Sequence, residues 1–161
     1  MLTREFKAAE CLVGLLEEKG LRITAAESCT GGALAAGIIS IPGASKVIEG
    51  SFVAYSDEIK NKILGVPWRY LKKHTAVSAS VAGSMALGAR QRTGADIGLS
   101  TTGYLGPSGE KVGQVYIGVS TRQETKVYSF MLSGDREAIR EKAVYIAIRL
   151  ATKEINDTWK K

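Results

Sequence analysis

The feature that most constrains this chain is a polar, glycine-containing stretch, Ala26-Glu27-Ser28-Cys29-Thr30-Gly31-Gly32. The apolar run before it, residues 21–26, is typical of a buried strand, and the small apolar segment after it, residues 33–39, predicts a helix. A strand-to-helix junction gathers unpaired backbone N–H groups at one point, where the helix dipole favours an anion. The junction therefore predicts a place for a phosphate or for a developing oxyanion.

The side chains of this junction allow two interpretations. Ser28, Cys29 and Thr30 supply three possible nucleophiles or hydrogen-bond donors. Gly31 and Gly32 would let a ligand approach the backbone closely, because they carry no side chain. In the alternative interpretation, Ser28 or Thr30 caps the helix and the glycines serve only packing. The residue types at the junction do not decide between the two.

The composition excludes several classes of protein. The chain has 161 residues, of which 45% are hydrophobic, so we expect one folded domain over residues 1–161 rather than a disordered segment. Charged residues interrupt every apolar run before it reaches the length of a membrane span. The first residues also lack the apolar core of a signal peptide. We therefore expect a cytoplasmic protein with no membrane partner.

The net charge of +6, from 22 basic and 16 acidic residues, permits nucleic acid or anionic small molecules as partners. The basic residues are scattered, and no nucleic-acid-binding motif occurs with its required spacing. The charge itself does not choose between these partners, but the basic clusters at residues 69–73 and 160–161 are interpreted as solvated surface, so nucleic acid is not the expected partner.

The cysteines and the histidine predict neither a metal site nor a cofactor. The chain contains one histidine, His74, and two cysteines that are far apart in sequence, Cys11 and Cys29. Cys11 falls in an apolar helical pattern, so we expect it to lie in the core.

The spacing of apolar residues predicts six helical segments and five strands. The predicted strands cover residues 21–26, 47–55, 96–102, 112–121 and 125–132, and the last two form a hairpin turning at residues 122–124. Helices alternate with strands along the first two thirds of the chain. This order predicts a mixed sheet with helices on both faces.

A serine nucleophile needs a base, and the sequence offers two. His74 lies in a predicted loop, where a lone histidine is more often structural, so a Ser-His-Asp triad has little support. Lys60 lies near the start of the helix after the second strand, where the helix dipole and burial would both lower its pKa. A neutral lysine can replace histidine as the base. In the alternative interpretation, which position alone favours, Lys60 is an ordinary solvated lysine.

The strand ends add further candidates. Tyr55 ends the second predicted strand, and Thr101 and Thr102 end the third, which a glycine-rich loop from Gly103 to Gly109 follows. The carboxyl ends of parallel strands share one edge of a sheet, where open α/β folds bind ligands. Tyr55 could stack on a flat ring there, or could close the core. The loop could wrap a phosphate, or could be a plain connection.

Two arginines four residues apart, Arg136 and Arg140, begin the last predicted helix. Either guanidinium could bind a phosphate through paired hydrogen bonds. The alternative is a surface ion pair, for example between Arg140 and Glu137.

Several ordered motifs resemble those of the CinA C-terminal domain family, the nicotinamide-nucleotide amidohydrolases (PncC-type deamidases of nicotinamide mononucleotide, NMN). They are Thr24-Ala25-Ala26-Glu27-Ser28-Cys29-Thr30-Gly31-Gly32, Phe52-Val53-Ala54-Tyr55-Ser56-Asp57-Glu58-Ile59-Lys60, Gly65-Val66, Ala76-Val77-Ser78, Thr102-Gly103 with Gly106-Pro107, and Ser133-Gly134-Asp135-Arg136. The resemblance implies a three-layer α/β/α fold with a mixed, mostly parallel sheet of about five strands. It also implies the stand-alone form, without a molybdopterin-binding-like domain.

The resemblance further implies a C–N hydrolase of linear amides, which converts NMN to nicotinic acid mononucleotide and ammonia without a metal or cofactor. By motif, Ser28 corresponds to the nucleophile, Lys60 to its base and Tyr55 to an active-site tyrosine. The implied substrate-binding residues are Thr30, Gly31, Gly32, Thr102, Gly103 and Arg140. The N–H groups near residues 30–32 are candidate oxyanion donors.

The chain departs from the family pattern at one loop, where Tyr104-Leu105 replaces a small Ile-Ala type pair. The added bulk could reshape the pocket, so two other functions stay open. One is a non-catalytic nucleotide-binding or regulatory module on the same fold. The other is a DNA-associated competence or damage-response factor, which would require salt-dependent DNA binding. Cys29 is a rival nucleophile, and assembly into a homo-oligomer is also left open.

Overall fold

The computed structural model describes residues 3–160. In chain order these residues form α1 (Arg4–Lys19), β1 (Ile23–Glu27), α2 (Ala33–Ile39), a 3-10 turn (Ala44–Lys46), β2 (Ile48–Val53), α3 (Asp57–Leu64), α4 (Trp68–His74), α5 (Ala79–Thr93), β3 (Ile97–Gly103), β4 (Gln114–Ser120), β5 (Thr125–Met131) and α6 (Arg136–Thr158). Each predicted helix and strand is present, with ends that differ by a few residues.

The five strands form one mixed sheet in the order β2-β1-β3-β4-β5. β1 pairs in parallel with β2 and β3, whereas β4 pairs antiparallel with both β3 and β5. Four strands therefore run in the same direction and β4 runs against them. The predicted hairpin between β4 and β5 is confirmed, since the Thr121 N–H donates to the Glu124 carbonyl at 2.8 Å across the turn.

Helices cover both faces of the sheet, which confirms the three-layer α/β/α prediction. α1, α2 and α6 pack on one face over a large apolar core, and α5 packs across the other face with α3 and α4 beside it. No helix in the described part of the chain combines the length and the apolar character that a membrane span needs.

The prediction for Cys11 is wrong, because its side chain is exposed on α1. The buried face of α1 consists of Ala8, Ala9, Leu12, Val13 and Leu16. Successive residues of a helix are about 100° apart, so the residue before Leu12 falls outside this stripe. Apolar residues follow Cys11 directly, but Glu10 precedes it, and the position of the buried stripe separates both residues from the core.

Two helical glycines give opposite predictions for replacement by alanine. A Cβ at Gly88 of α5 would lie 1.9 Å from the Leu64 carbonyl oxygen at the end of α3, whereas a Cβ at Gly14 of α1 would meet nothing within 4 Å. We expect Gly88→Ala to lower the free energy of unfolding by about 3 kcal/mol or more, because backbone cannot give way as a side chain does. Gly14→Ala should raise it by about 0.5–1 kcal/mol, through helix propensity. Urea unfolding of both variants measures the two effects, and equal midpoints would contradict the close contact between α3 and α5.

Candidate active site

The carboxyl ends of the three parallel strands meet at one edge of the sheet. Glu27, the last residue of β1, lies between Val53 of β2 and Thr101 of β3. The pairing continues past the strand end, since the Ser28 N–H donates to the Thr101 carbonyl at 2.9 Å. The residues that follow each strand are therefore brought together, as the edge argument predicts.

Ser28 lies at the wall of a cleft at this edge. Its side chain is 8% exposed, and within residues 3–160 its hydroxyl has no hydrogen-bond partner. The cleft has a volume of about 230 Å³ and is lined by Ser28, Cys29, Tyr55, Gly103, Tyr104, Leu105, Gly106, Ser108 and Arg136. A buried serine hydroxyl that faces a cleft and holds no partner is free to react.

Lys60 is the largest side chain that the core encloses, with an exposed fraction of 1%. Its Nζ donates to the Tyr55 carbonyl at 2.8 Å. Burial lowers the pKa of Lys60, and the nearby Asp57 and Cys29 oppose this only in part. The alternative of a solvated lysine is therefore wrong, and the amine lies within electrostatic reach of the residue that follows Ser28.

Tyr55 does not close the core. Its ring is 66% exposed and lines the cleft, while its carbonyl holds the Lys60 amine. The same residue thus connects the exposed mouth of the cleft to the buried amine behind it.

The turn between β1 and α2 is held by a residue that the sequence analysis did not single out, Glu27. Its carboxylate is fully buried and has no basic partner at hydrogen-bond distance in the part of the chain described. Five groups donate to it: the hydroxyls of Thr30 and Ser51 at 2.7 Å each, and the N–H groups of Leu34 at 2.8 Å and of Gly32 and Ala35 at 3.2 Å. Glu27 therefore caps α2 from the preceding strand.

Because Glu27 caps α2, the junction between β1 and α2 does not provide the anion site that the sequence predicts. α2 begins at Ala33 rather than near Thr30, because Gly31 and Gly32 have φ values of 58° and 101° that a helix does not allow. Neither Ser28 nor Thr30 is the cap, since Gly32 occupies that position without a side-chain bond. The chain's own carboxylate already satisfies the free N–H groups, so the start of α2 is not an open anion site.

Among the N–H groups of residues 29–32, in the turn between β1 and α2, some already have an oxygen acceptor and others do not. The Gly31 N–H donates to the Ser28 carbonyl at 3.2 Å and the Gly32 N–H to Glu27. The N–H groups of Cys29 and Thr30 donate to no backbone or side-chain oxygen within the described residues. Of the two N–H groups without an oxygen acceptor, that of Thr30 falls within the predicted range 30–32, whereas that of Cys29, next to Ser28, was not predicted.

Cys29 is a poor nucleophile in this setting. Burial raises the pKa of its thiol to about 12, against the lowering effects of a hydrogen bond with Thr101 and of the Lys60 charge. The thiolate is the reactive form of cysteine, and it is scarce at neutral pH when the pKa is this high. Thr101 also shares a 2.7 Å hydrogen bond with Thr30, so it belongs to the support of the turn.

The remaining predicted residues separate into two groups. Gly103 lines the cleft, whereas the Thr102 hydroxyl donates to the Ala76 carbonyl at 2.7 Å and is buried away from the lining. Arg140 forms an ion pair with Glu137 and does not line the cleft. Arg136 lines it, and its Nη1 donates to the Gly106 carbonyl at 2.7 Å.

His74 ends α4 on the surface, with its ring 6.4 Å from that of Tyr70, and is absent from the cleft lining. Within residues 3–160 no three His, Cys, Asp or Glu side chains are grouped as metal ligands would be. The polar side chains that line the cleft are thus four hydroxyl groups, one thiol and one guanidinium, from Ser28, Tyr55, Tyr104, Ser108, Cys29 and Arg136, and the buried Lys60 amine is not part of the lining.

Glu27 gives a prediction that concerns the turn itself. In Glu27→Gln the amide nitrogen would face N–H donors that now meet a carboxylate oxygen, so one buried donor loses its acceptor. We expect the free energy of unfolding to fall by about 1–3 kcal/mol. Urea unfolding measures the loss, with Ser51→Ala, which removes one of five donors, as the milder control. Unchanged stability in Glu27→Gln would contradict the capping role.

The fold is that of an α/β/α domain with a cleft, the candidate site, at the carboxyl edge of its parallel strands. The sequence profile of the family described as "CinA C-terminal domain" matches residues 5–155. The chain belongs to this family.

The curated relatives are longer proteins. A "Putative competence-damage inducible protein" of Caldicellulosiruptor bescii is 44% identical over 92% of this chain and 37% of its own length. A "CinA-like protein" of Dictyoglomus turgidum is 46% identical over 84% of this chain and 34% of its own length. The chain thus spans about a third of the relatives it matches.

Solved structures of similar size share the fold. The "competence damage-inducible protein A (ComA)" of Klebsiella pneumoniae has a TM-score of 0.92 and 31% identity, covering 97% of this chain and 99% of that one. A CinA superfamily protein of Escherichia coli has a TM-score of 0.89 and 34% identity, covering 94% and 90% respectively.

Proposed function

We propose that this domain hydrolyses the carboxamide of nicotinamide mononucleotide to nicotinic acid mononucleotide and ammonia. The observation that carries the proposal is that a serine hydroxyl without a partner lines the cleft together with Tyr55, while a buried amine with a lowered pKa donates to the carbonyl of the same Tyr55. A Ser-Lys pair needs both properties, because the amine must be neutral to accept the hydroxyl proton.

In the acylation step, neutral Lys60 accepts the proton of Ser28 Oγ as that oxygen attacks the amide carbon. The tetrahedral intermediate collapses with cleavage of the C–N bond, and Lys60 returns the proton to the leaving nitrogen, which departs as ammonia. Water then attacks the acyl-enzyme and gives a proton to Lys60. That proton passes to Ser28 Oγ as the ester bond breaks, which restores the starting state.

The unused N–H groups of Cys29 and Thr30 are the candidate oxyanion donors in this mechanism. The N–H of the residue after a nucleophile takes this role in other serine hydrolases. Loss of one such donor costs roughly a hundredfold or more in rate. Glu27, Thr30 and Thr101 act as positioning residues, since their hydrogen bonds fix the turn that presents these groups.

Different residues would bind the nicotinamide ring and the phosphate of the nucleotide. Tyr55 exposes an aromatic face at the cleft for the nicotinamide ring. The phosphate cannot use the start of α2, because Glu27 holds those N–H groups and repels an anion. Arg136 lines the cleft and is therefore favoured over Arg140 as the partner of the phosphate.

The direct test is incubation of the purified domain with NMN, with ammonia and nicotinic acid mononucleotide measured in parallel. We expect equal amounts of the two products. Binding of NMN without release of ammonia would favour a non-catalytic nucleotide module. Binding of duplex DNA that weakens steeply with salt would favour a DNA-associated role instead.

A further inference from the structure

Tyr104, the residue after β3, lies at the boundary between two cavities. It lines the cleft that contains Ser28, and it also lines a second cavity of about 260 Å³ with Ser108, Gly109, Glu110, Lys111 and Val112. Only Tyr104 and Ser108 belong to both linings. Of these two, the tyrosine has by far the larger side chain, so it is the main partition between the cavities.

The backbone of Tyr104 is fixed on both sides. Its N–H donates to the Gln114 carbonyl at 3.0 Å, and its own carbonyl accepts from the Gly113 N–H at 2.7 Å. Leu105, the next residue, is buried in the core. The position of the ring therefore depends on its side-chain torsions alone.

The end of the ring is held as well. The Tyr104 hydroxyl shares a 3.1 Å hydrogen bond with Oγ1 of Thr75, whose backbone has a φ of 65°. Thr75 is the one non-glycine residue with positive φ in the described part of the chain. A β-branched residue is strained in this conformation, and such strain is retained where the surrounding structure requires it.

The surroundings of Thr75 hold this strained conformation in place. The Ser78 hydroxyl donates to the Thr75 carbonyl at 3.2 Å, and the buried Thr102 hydroxyl fixes the next carbonyl, that of Ala76. The segment between α4 and α5 is thus anchored to the end of β3 and presents the Thr75 hydroxyl to the tyrosine.

We propose that Tyr104, held by Thr75, is a specificity-determining residue. It limits the site to carboxamide substrates whose nicotinamide ring carries a mononucleotide rather than a dinucleotide. This inference rests on the proposed amidohydrolase function. The cleft alone is smaller than the roughly 300–1,000 Å³ of typical ligand pockets, whereas the two cavities joined would fall within that range. The ring thus excludes substrates, such as a dinucleotide, whose second half would need the additional space.

The experiment compares kcat/KM for NMN with kcat/KM for nicotinamide adenine dinucleotide. In Tyr104→Ala we expect the ratio of dinucleotide to mononucleotide to rise about tenfold, mainly through KM, because the partition is removed while the nucleophile and base remain. Tyr104→Phe removes only the shared hydrogen bond, whereas Thr75→Val also removes the 3.4 Å contacts of the Thr75 hydroxyl with the Val77 N–H and carbonyl, so Thr75→Val should raise the ratio by at least the same smaller factor. Their double variant should add nothing further.

Two control variants are available. One keeps the hydrogen bond between residues 75 and 104, and the other changes a tyrosine that does not line the cleft. Thr75→Ser retains a hydroxyl, and Tyr145→Phe removes a tyrosine hydroxyl on α6 outside the cleft lining. Both should preserve the wild-type ratio. If the wild type hydrolyses NMN but Tyr104→Ala leaves the ratio of the two kcat/KM values unchanged, this inference is overturned and the proposed function stands.

A binding measurement separates the two proposals when turnover fails. Dissociation constants of NMN and the dinucleotide are measured calorimetrically for Ser28→Ala with and without Tyr104→Ala. If Tyr104→Ala lowers the dissociation constant of the dinucleotide relative to that of NMN, the role of Tyr104 in separating the cavities is supported, even if the wild type releases no ammonia. If the ratio of the two dissociation constants is the same with and without Tyr104→Ala, the proposed role of Tyr104 is overturned.

Discussion

Ser28→Ala should lower kcat for ammonia release from NMN by at least about a thousandfold, with the fold preserved. The substitution removes the attacking oxygen and nothing else that the structure depends on, because the Ser28 hydroxyl has no hydrogen-bond partner within residues 3–160. Product formation measured under saturating substrate gives kcat, and the urea midpoint confirms that the variant folds.

The matched control is Cys29→Ala, the neighbouring candidate nucleophile. Since burial keeps its thiol protonated, we expect this variant to retain most of the activity and to lose some stability through the cavity left in the core. The opposite pattern, with Cys29→Ala inactive and Ser28→Ala active, would reassign the nucleophile.

Lys60→Met should combine a large loss of activity with a gain in stability. We expect kcat to fall by about a thousandfold or more, because the base that activates Ser28 is missing. The free energy of unfolding at pH 7 should rise by about 1 kcal/mol, since the buried amine gives way to an apolar side chain of similar length. Lys62→Met, an exposed change on the same helix, is the control and should alter neither quantity strongly.

The pH dependence of stability provides an independent readout of Lys60. Its pKa is lower in the folded protein than in the unfolded chain, mainly through burial, so between the two values the unfolded state binds more protons. The free energy of unfolding must therefore rise as pH increases through this window. Lys60→Met should lose that rise. The acidic limb of the wild-type kcat/KM profile should report the same lowered pKa, and identical stability profiles for wild type and variant would contradict the buried-amine mechanism.

The order and type of the helices and strands could be predicted because local signals agree with the tertiary fold. Ser56 caps α3 through the Ile59 N–H, and Gly65 ends it with a φ of 71°, and serine and glycine are the residue types that favour these two positions. Ser28 and Tyr55 could be predicted to share one cleft for a similar reason, since this requires only the order and direction of the strands.

The support of the site could not be predicted in the same way. Glu27 is a charged residue at the end of an apolar strand, and only the three-dimensional fold shows that α2 turns back over it. Thr101 and Thr102 are adjacent in sequence, yet alternation along β3 points them to opposite faces, towards Thr30 and towards Ala76. The choice between Arg136 and Arg140 likewise depends on the rotation of α6, which sequence spacing does not determine.

The missing side chain at Gly88 has a consequence for the Lys60 amine. Lys60 lies one helical turn before Leu64, whose carbonyl rests against the α-carbon of that glycine. The approach of α3 to α5 at this contact therefore helps to position the helix that carries the Lys60 amine. Substitutions along that contact are accordingly a route to altering the proton affinity of the proposed base without changing any residue that lines the cleft.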